Sequence, residues 1–286
     1  MTSYRTTHVT RYTYDDPVSQ CQTEVRLRPR ESRRQQVRDW QLRVEPEPAS
    51  MNKRTDYFGN EVYSFSILEP HDRLTVTATG RVELAAPANL LPSVTAPWEA
   101  VRDQLGAPRN AEALEASEFR WESPFVPWLA GLHSYARPVF APGRPIMEAA
   151  EELTHRIYTE FDYSPKATSI DTPLADVLQQ KQGVCQDFAH VMIGAMRSLG
   201  LAARYVSGYL KSGARYTGAE ASHAWVSVFV PGTGWVDFDP TNDMVPGTGH
   251  VTLGWGRDYA DVSPVKGVTI GGGEQAVEVE VRVVAA

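Results

Sequence analysis

Phe188, Met192, Ala195, Met196 and Leu199 recur along one face of a helix, and Gly200 follows at once. No other feature constrains the fold as tightly. An apolar stripe this regular must be covered by a second layer, and glycine is the natural residue to end a helix in the left-handed conformation. Residues 201–210, 222–230 and 235–239 follow, rich in Val, Tyr, Phe and Trp, and each reads as a strand. Pro231, Gly232, Thr233 and Gly234 lie between the last two and predict a hairpin. The expected core is therefore α+β, with this helix packed on an antiparallel sheet.

Upstream the chain reads differently. Residues 4–14, 24–28, 61–68 and 74–84 show strand-like alternation, with turn signals at Gly59-Asn60 and at Pro70. This predicts an N-terminal antiparallel domain, sandwich-like, over residues 1–85. Residues 86–97 are rich in Ala and Pro and read as a linker. Residues 98–286 are then the second domain, consistent with a chain of 286 residues, long for one core. In it, residues 98–105, 110–117 and 124–135 have helical composition. The firmest helix, 145–161, starts at Pro145 and puts Ile146, Ala149, Ala150, Leu153, Ile157 and Phe161 on one face. A short helix over 173–180 has Thr172 as its expected N-cap. Residues 243–275 are Gly- and Pro-rich without clear period, and 276–284 alternates as a closing strand.

Net charge is −7, which argues against a nucleic-acid partner. No apolar run is long enough to span a bilayer and no leader-like segment is visible at the N-terminus, so neither membrane nor secretion is expected. Cys21 and Cys185 are the only cysteines, too few for a disulfide framework or a four-thiolate zinc site. A cytoplasmic location is expected. Exposed strand edges in the first domain leave a homo-oligomer open.

Cys185 falls at the first turn of the helix that carries Phe188 to Leu199, where backbone N–H groups and the helix dipole favour a thiolate. A lone cysteine is more often an inert buried residue. A nucleophilic one needs a base, and the base an orienting group. His223 opens one strand and Asp239 ends the next. A four-residue Pro-Gly-Thr-Gly loop would set Asp239 opposite Val226, too far from His223. A three-residue loop over 230–232, or a Pro-Gly type II turn with a bulge, would set it opposite His223.

Three segments, Gly183-Val184-Cys185-Gln186-Asp187-Phe188-Ala189-His190, Ser222-His223-Ala224-Trp225-Val226 and Trp235-Val236-Asp237-Phe238-Asp239-Pro240-Thr241, together resemble the transglutaminase-like superfamily of papain-type cysteine enzymes. The β-rich N-terminus resembles the N-terminal domain of the bacterial members, and Gly256–Val262 (Gly-Arg-Asp-Tyr-Ala-Asp-Val) their C-terminal portion. The resemblance implies Cys185 as nucleophile, His223 as base and Asp239 as orienter, acting on a peptide or protein amide with no cofactor. Crosslinking transglutaminases of animals usually carry Trp after the cysteine. Gln186 stands there instead, which tilts the expectation towards hydrolysis over transfer to an amine. No acidic loop has EF-hand spacing.

The remaining candidates have bland readings beside them. Tyr163 could supply an oxyanion donor or simply pack. Gln179 ranks below it. Asp187 and His190, three apart on the helix, could pair behind the site or bond nearby backbone. Trp225 and Trp235 read as core aromatics before substrate platforms, and Trp225, with Asp187 and His190, is also a candidate to support the site from behind. A metal held by Cys185, His190, His223 and Asp239 is disfavoured because Cys185 and His190 point apart on their helix, so no metal is expected. His8, His71, His133 and His155 show no ligand spacing, His250 is at most a rim residue, and Asp258 and Tyr259 border the cleft only by conjecture. A non-enzymatic interaction module is the remaining alternative.

Overall fold

The computed structural model describes residues 1–213 and 216–286. Alternation dictates the first unit. β1 (Thr2–Val25) is followed by β2 (Gln35–Glu45), β3 (Ser50–Thr55), β4 (Glu61–Ile67) and β5 (His71–Leu84). The sheet order is β2-β5-β1-β4-β3, all antiparallel. β1 changes neighbours midway, where its register with β5 shifts between Thr13 and Val18. Pro17 sits in that break, a position where a missing N–H does no harm. The two arms that result share one core, to which Tyr4, Val76 and Val82 come from one arm and Val18, Phe65 and Ile67 from the other. This is the expected sandwich-like arrangement, made from one continuous sheet.

α1 (Trp98–Gly106), α2 (Ala111–Ser117), α3 (Ala130–Ala136) and α4 (Ile146–Glu160) begin the second unit. Asn110 caps α2 by accepting from the Ala113 N–H at 2.8 Å. Two short strands, β6 (Asp162–Tyr163) and β7 (Gln182–Gly183), pair in parallel on either side of α5 (Leu174–Gln180). Pro173, not Thr172, occupies the N-cap of α5. The Thr172 hydroxyl accepts from the Ser169 N–H instead. α6 (Cys185–Ser198) follows, with β8 (Ala203–Leu210), β9 (His223–Val230), β10 (Gly234–Phe238) and β11 (His250–Gly256) forming an antiparallel sheet of order β10-β9-β8-β11. α6 lies on β8 and β9 and is buried almost all round, so Phe188, Met192, Ala195 and Met196 meet sheet residues such as Val226 and Val228 in one core. Gly200, at φ +78°, ends the helix in the left-handed region as expected.

α7 (Tyr259–Val262), β12 (Val265–Gly271) and β13 (Gln275–Ala285) close the chain. Here the expected boundary fails. β12 and β13 do not extend the second unit: both pair with β1 in the first sheet. The alternation supplies one apolar face, and its C-terminal end enters the first core, which buries Val281 and Val283 while Val277 and Val279 stay exposed. Gln35 fastens the two units, its amide donating to the Thr252 carbonyl at 2.6 Å and accepting from the Thr252 N–H at 2.9 Å.

Two buried histidines make this fold acid-sensitive. Burial depresses the imidazole of His8 to about 4. In His190, burial and then the nearby Arg197 depress it to about 3. Both must charge on unfolding below the ordinary histidine value, so stability is complete above about pH 6.5 and is lost as pH falls towards 4. Each contributes a slope of roughly 1.4 kcal/mol per pH unit. Urea midpoints at pH 7, 6 and 5 should fall accordingly, and the slope should be shallower in His8→Gln.

Candidate active site

The local sequence builds the start of α6 with little freedom. Asp187 turns back to accept from the Val184 N–H at 2.8 Å and from the Thr168 hydroxyl at 2.7 Å. It thereby caps its own helix and ties it to the preceding loop. Burial raises its pKa, and these two bonds oppose the rise. A Cβ on Gly183 would fall 2.8 Å from the Cβ of Asp187. Gly183 is therefore needed for that close approach; its φ is not among the positive ones. Cys185 then takes the first helical position, buried but for 9% of its surface. First-turn N–H groups have no partner within a helix and remain available at this point.

His223 and Asp239 come together by a register that neither simple hairpin gives. Pro231-Gly232 makes the turn, with Gly232 at φ +79° and the Thr233 N–H donating to the Val230 carbonyl at 3.0 Å. Gly234 pairs with Val230 and Phe238 with Val226, which sets Asp239 level with Trp225. His223 is two residues along on the same face, a diagonal neighbour that long side chains can reach. His223 Nε2 and Asp239 Oδ2 are 2.9 Å apart, both side chains fully enclosed. A carboxylate only accepts, so Nε2 carries the proton. Nδ1 has no hydrogen-bond partner, and Cys185 lies close enough for its charge to act on the ring. Burial would lower the His223 pKa, but the Asp239 carboxylate and the Cys185 thiolate overcome it and push it up to about 10. Asp239 moves the other way: burial would raise it, and the His223 imidazolium with hydrogen bonds from His223 and His250 hold it well below the usual carboxylate range.

The same carboxylate has further partners that pattern reading missed. His250 Nε2 is 3.0 Å from Oδ2, and Asn242 Nδ2 donates to Oδ2 at 2.8 Å. Oδ1 accepts from the Thr241 N–H at 3.0 Å and the Asn242 N–H at 3.3 Å. His250 is therefore buried behind the site and is not a rim residue. Asn242 also exchanges two bonds with the backbone of Thr217, in the segment that precedes β9. Only the Asp-x-x-Asn spacing from Asp239 hinted at it.

The remaining candidates divide. Trp225 is fully buried, edge-on to His250 and nearly parallel to His223, with centroids 5.2 Å and 6.1 Å away. It is a core aromatic that floors both imidazoles. Tyr163 is close to Cys185; burial first, then the charge of Cys185, pushes its phenol up to about 12, so it stays a donor at neutral pH. Gln179 is exposed on α5. His190 and Asp187 do not pair. His190 Nε2 accepts from the Tyr259 N–H at 3.2 Å, and its ring stacks on Phe125. Asp258 caps α7 through the Ala260 N–H and holds the Phe125 N–H at 2.8 Å, so Asp258 and Tyr259 form the wall behind His190.

Among the described residues, the group whose ligand atoms converge is His223, Asp239 and His250, within 4.8 Å. Two imidazoles and a carboxylate are familiar ligands. Asn242, however, aims an N–H donor at the oxygen a cation would need. His190 does not belong to the group.

Gly218 lies over the site at φ +85°, where an added Cβ would be 3.0 Å from His223 Nδ1 and 3.4 Å from the Tyr163 hydroxyl. Gly218→Ala should displace the imidazole and slow alkylation of Cys185. The left-handed conformation adds a penalty of roughly 1 kcal/mol, worth a melting-temperature loss of roughly 2 °C. Iodoacetamide kinetics and a thermal melt measure the two effects separately.

Residues 4–83 match the family model "Bacterial transglutaminase-like N-terminal region", and residues 133–240 match "Transglutaminase-like superfamily". An uncharacterized protein of Mycobacterium tuberculosis is 38% identical over 294 residues, covering 98% of this chain and 92% of its own. The chain belongs to the transglutaminase-like superfamily. A candidate cysteine protease from Cytophaga hutchinsonii shares the fold, with a TM-score of 0.75 at 20% identity, covering 99% of this chain and 90% of the other. A protein-glutamine gamma-glutamyltransferase of Pseudomonas aeruginosa is 30% identical over 92 residues, 30% of this chain and 14% of its own. The superfamily match contains Cys185, His223 and Asp239 but ends before Asn242 and His250. No helix among the described residues is long and apolar enough to cross a membrane.

Proposed function

We propose that this transglutaminase-like protein is a cysteine amidohydrolase that cleaves a peptide or isopeptide-like bond through Cys185, His223 and Asp239. One observation carries it: a buried Asp239 fixes Nε2 of His223 at 2.9 Å, leaving Nδ1 free on the side of a cysteine that starts a helix. The Cys185 thiolate attacks the amide carbonyl carbon and forms a C–S bond. The Cys185 N–H and the Tyr163 hydroxyl are the proposed donors to the oxyanion. The C–N bond breaks as Nδ1 of His223 gives its proton to the departing amine. Water then attacks the thioester, Nδ1 takes its proton, and the C–S bond breaks to release the acid and restore the thiolate. Asp239 accepts from Nε2 throughout and stabilises the imidazolium.

An amine in place of water would give acyl transfer by the same groups. The name of the Pseudomonas relative, a gamma-glutamyltransferase, favours that second reading, and Gln186 after the cysteine favours hydrolysis. A peptide library incubated with and without a primary amine, read by mass spectrometry, separates them. Products heavier by the amine would overturn hydrolysis, and no product in any library would count against both. A reducing, cytoplasmic compartment is also proposed, supported by the two free buried thiols.

A further inference from the structure

Three side-chain donors meet on one oxygen of Asp239: His223 Nε2 at 2.9 Å, His250 Nε2 at 3.0 Å and Asn242 Nδ2 at 2.8 Å. A carboxylate oxygen buried at this depth cannot turn to find water, so its direction is set by whichever donors surround it. Oδ1 is already committed to backbone N–H groups of Thr241 and Asn242. Those bonds fix one oxygen, and the direction of the other is set by its three side-chain donors, of which His250 and Asn242 are the two besides His223. His250 comes from β11, on the far side of the sheet order from β10, so it ties the carboxylate to a strand that carries none of the three proposed catalytic groups. Its ring is itself held: Trp225 meets it edge-on at 5.2 Å and Tyr216 at 5.6 Å. Its other nitrogen, Nδ1, is buried without a partner. The one hydrogen bond of this packed ring is thus to Asp239, through Nε2.

We propose that His250 is a positioning residue for the proposed triad: its Nε2–H locks Oδ2 of Asp239 in the direction that holds His223 against Cys185. The proposal rests on the function proposed above. Packing alone predicts something different, because the aromatic surroundings would accept Phe better than Gln.

The test compares His250→Phe, which keeps the ring and removes the donor, with His250→Gln, whose amide can reach the same oxygen. The probe is iodoacetamide at pH 6, where an ordinary thiol is under about 1% thiolate, with modification of Cys185 located by mass spectrometry and Cys185→Ser as the blank. Wild type should alkylate far faster than a free thiol. His250→Phe should be slower by roughly tenfold or more, the worth of a hydrogen bond to a charged group, and His250→Gln should recover most of that loss. Equal rates in His250→Phe and wild type would overturn the proposal, as would equal losses in both variants. A wild-type rate no better than a free thiol would instead sink the proposed function itself, and it is read before any variant is made. Should His250→Phe fail to fold, ¹⁵N spectra of the wild-type imidazoles decide: His250 protonated at Nε2 supports the lock, and at Nδ1 alone overturns it.

Discussion

Replacing Cys185 with Ala should reduce amide turnover by roughly 10⁴-fold or more, to the level of the uncatalysed reaction plus whatever binding and the oxyanion donors retain. The expected loss is large because the proposed route has no other nucleophile. Among the described residues the other cysteine, Cys21, is buried in the first sheet's core beside Ile67, in the other unit of the fold. Folding should be nearly untouched. The thiol sits at the edge of the core with 9% of its surface exposed, and losing one sulfur there leaves a small void next to solvent. Turnover of a peptide found in the library screen, together with a thermal melt, makes the comparison. Undiminished turnover in a folded Cys185→Ala protein would eliminate the acyl-enzyme route.

Local periodicity carried much of this fold, and long-range pairing carried the part that local periodicity does not. α6 was visible because five apolar residues mark one face and Gly200 stops them. β8, β9 and β10 were visible as dense runs of branched and aromatic residues. The closing strand was also visible, but alternation reveals a face and not a partner. Nothing in Val-Glu-Val-Glu-Val says that β1, at the opposite end of the chain, supplies the ladder. The hairpin shows the same limit at finer scale. A Pro-Gly turn was foreseeable, yet the pairing of Gly234 with Val230 falls between the two registers the sequence suggested. The observed register sets Asp239 level with Trp225, two residues from the place directly opposite His223 and so on a diagonal to it, and the side chains still meet. His250 was hidden for another reason. β11 has a register shift between Thr252 and Gly254, and such a break erases the alternation that would have marked the strand. Asp187 and His190 were a reasonable pair by spacing alone, but backbone donors nearer to each took both side chains.

Asp239→Asn should be the second most damaging change, and its signature should differ from that of Cys185→Ala. The substitution preserves shape but replaces an acceptor with an amide whose NH₂ group cannot accept from three donors. Either His223 flips its tautomer or one N–H is left facing another, and in both cases Nδ1 loses its role. A fall in turnover of roughly 10⁴-fold is expected. The electrostatic consequence has a definite sign. In the native protein the carboxylate and the Cys185 thiolate outweigh burial and push His223 up to about 10. Without the carboxylate, burial opposes the imidazolium with one fewer anion against it, so the His223 pKa must fall. The stability that His223 lends by gaining a proton partner is complete below about pH 6.5 in the native protein and is lost as pH rises through about 10. In Asp239→Asn that alkaline loss should begin at lower pH or disappear. Urea midpoints between pH 7 and 10 measure it, and the same samples treated with iodoacetamide at pH 6 should show Cys185 reacting at the pace of an unpaired thiol. An unchanged alkaline profile together with native alkylation would mean that Asp239 only packs behind the histidine.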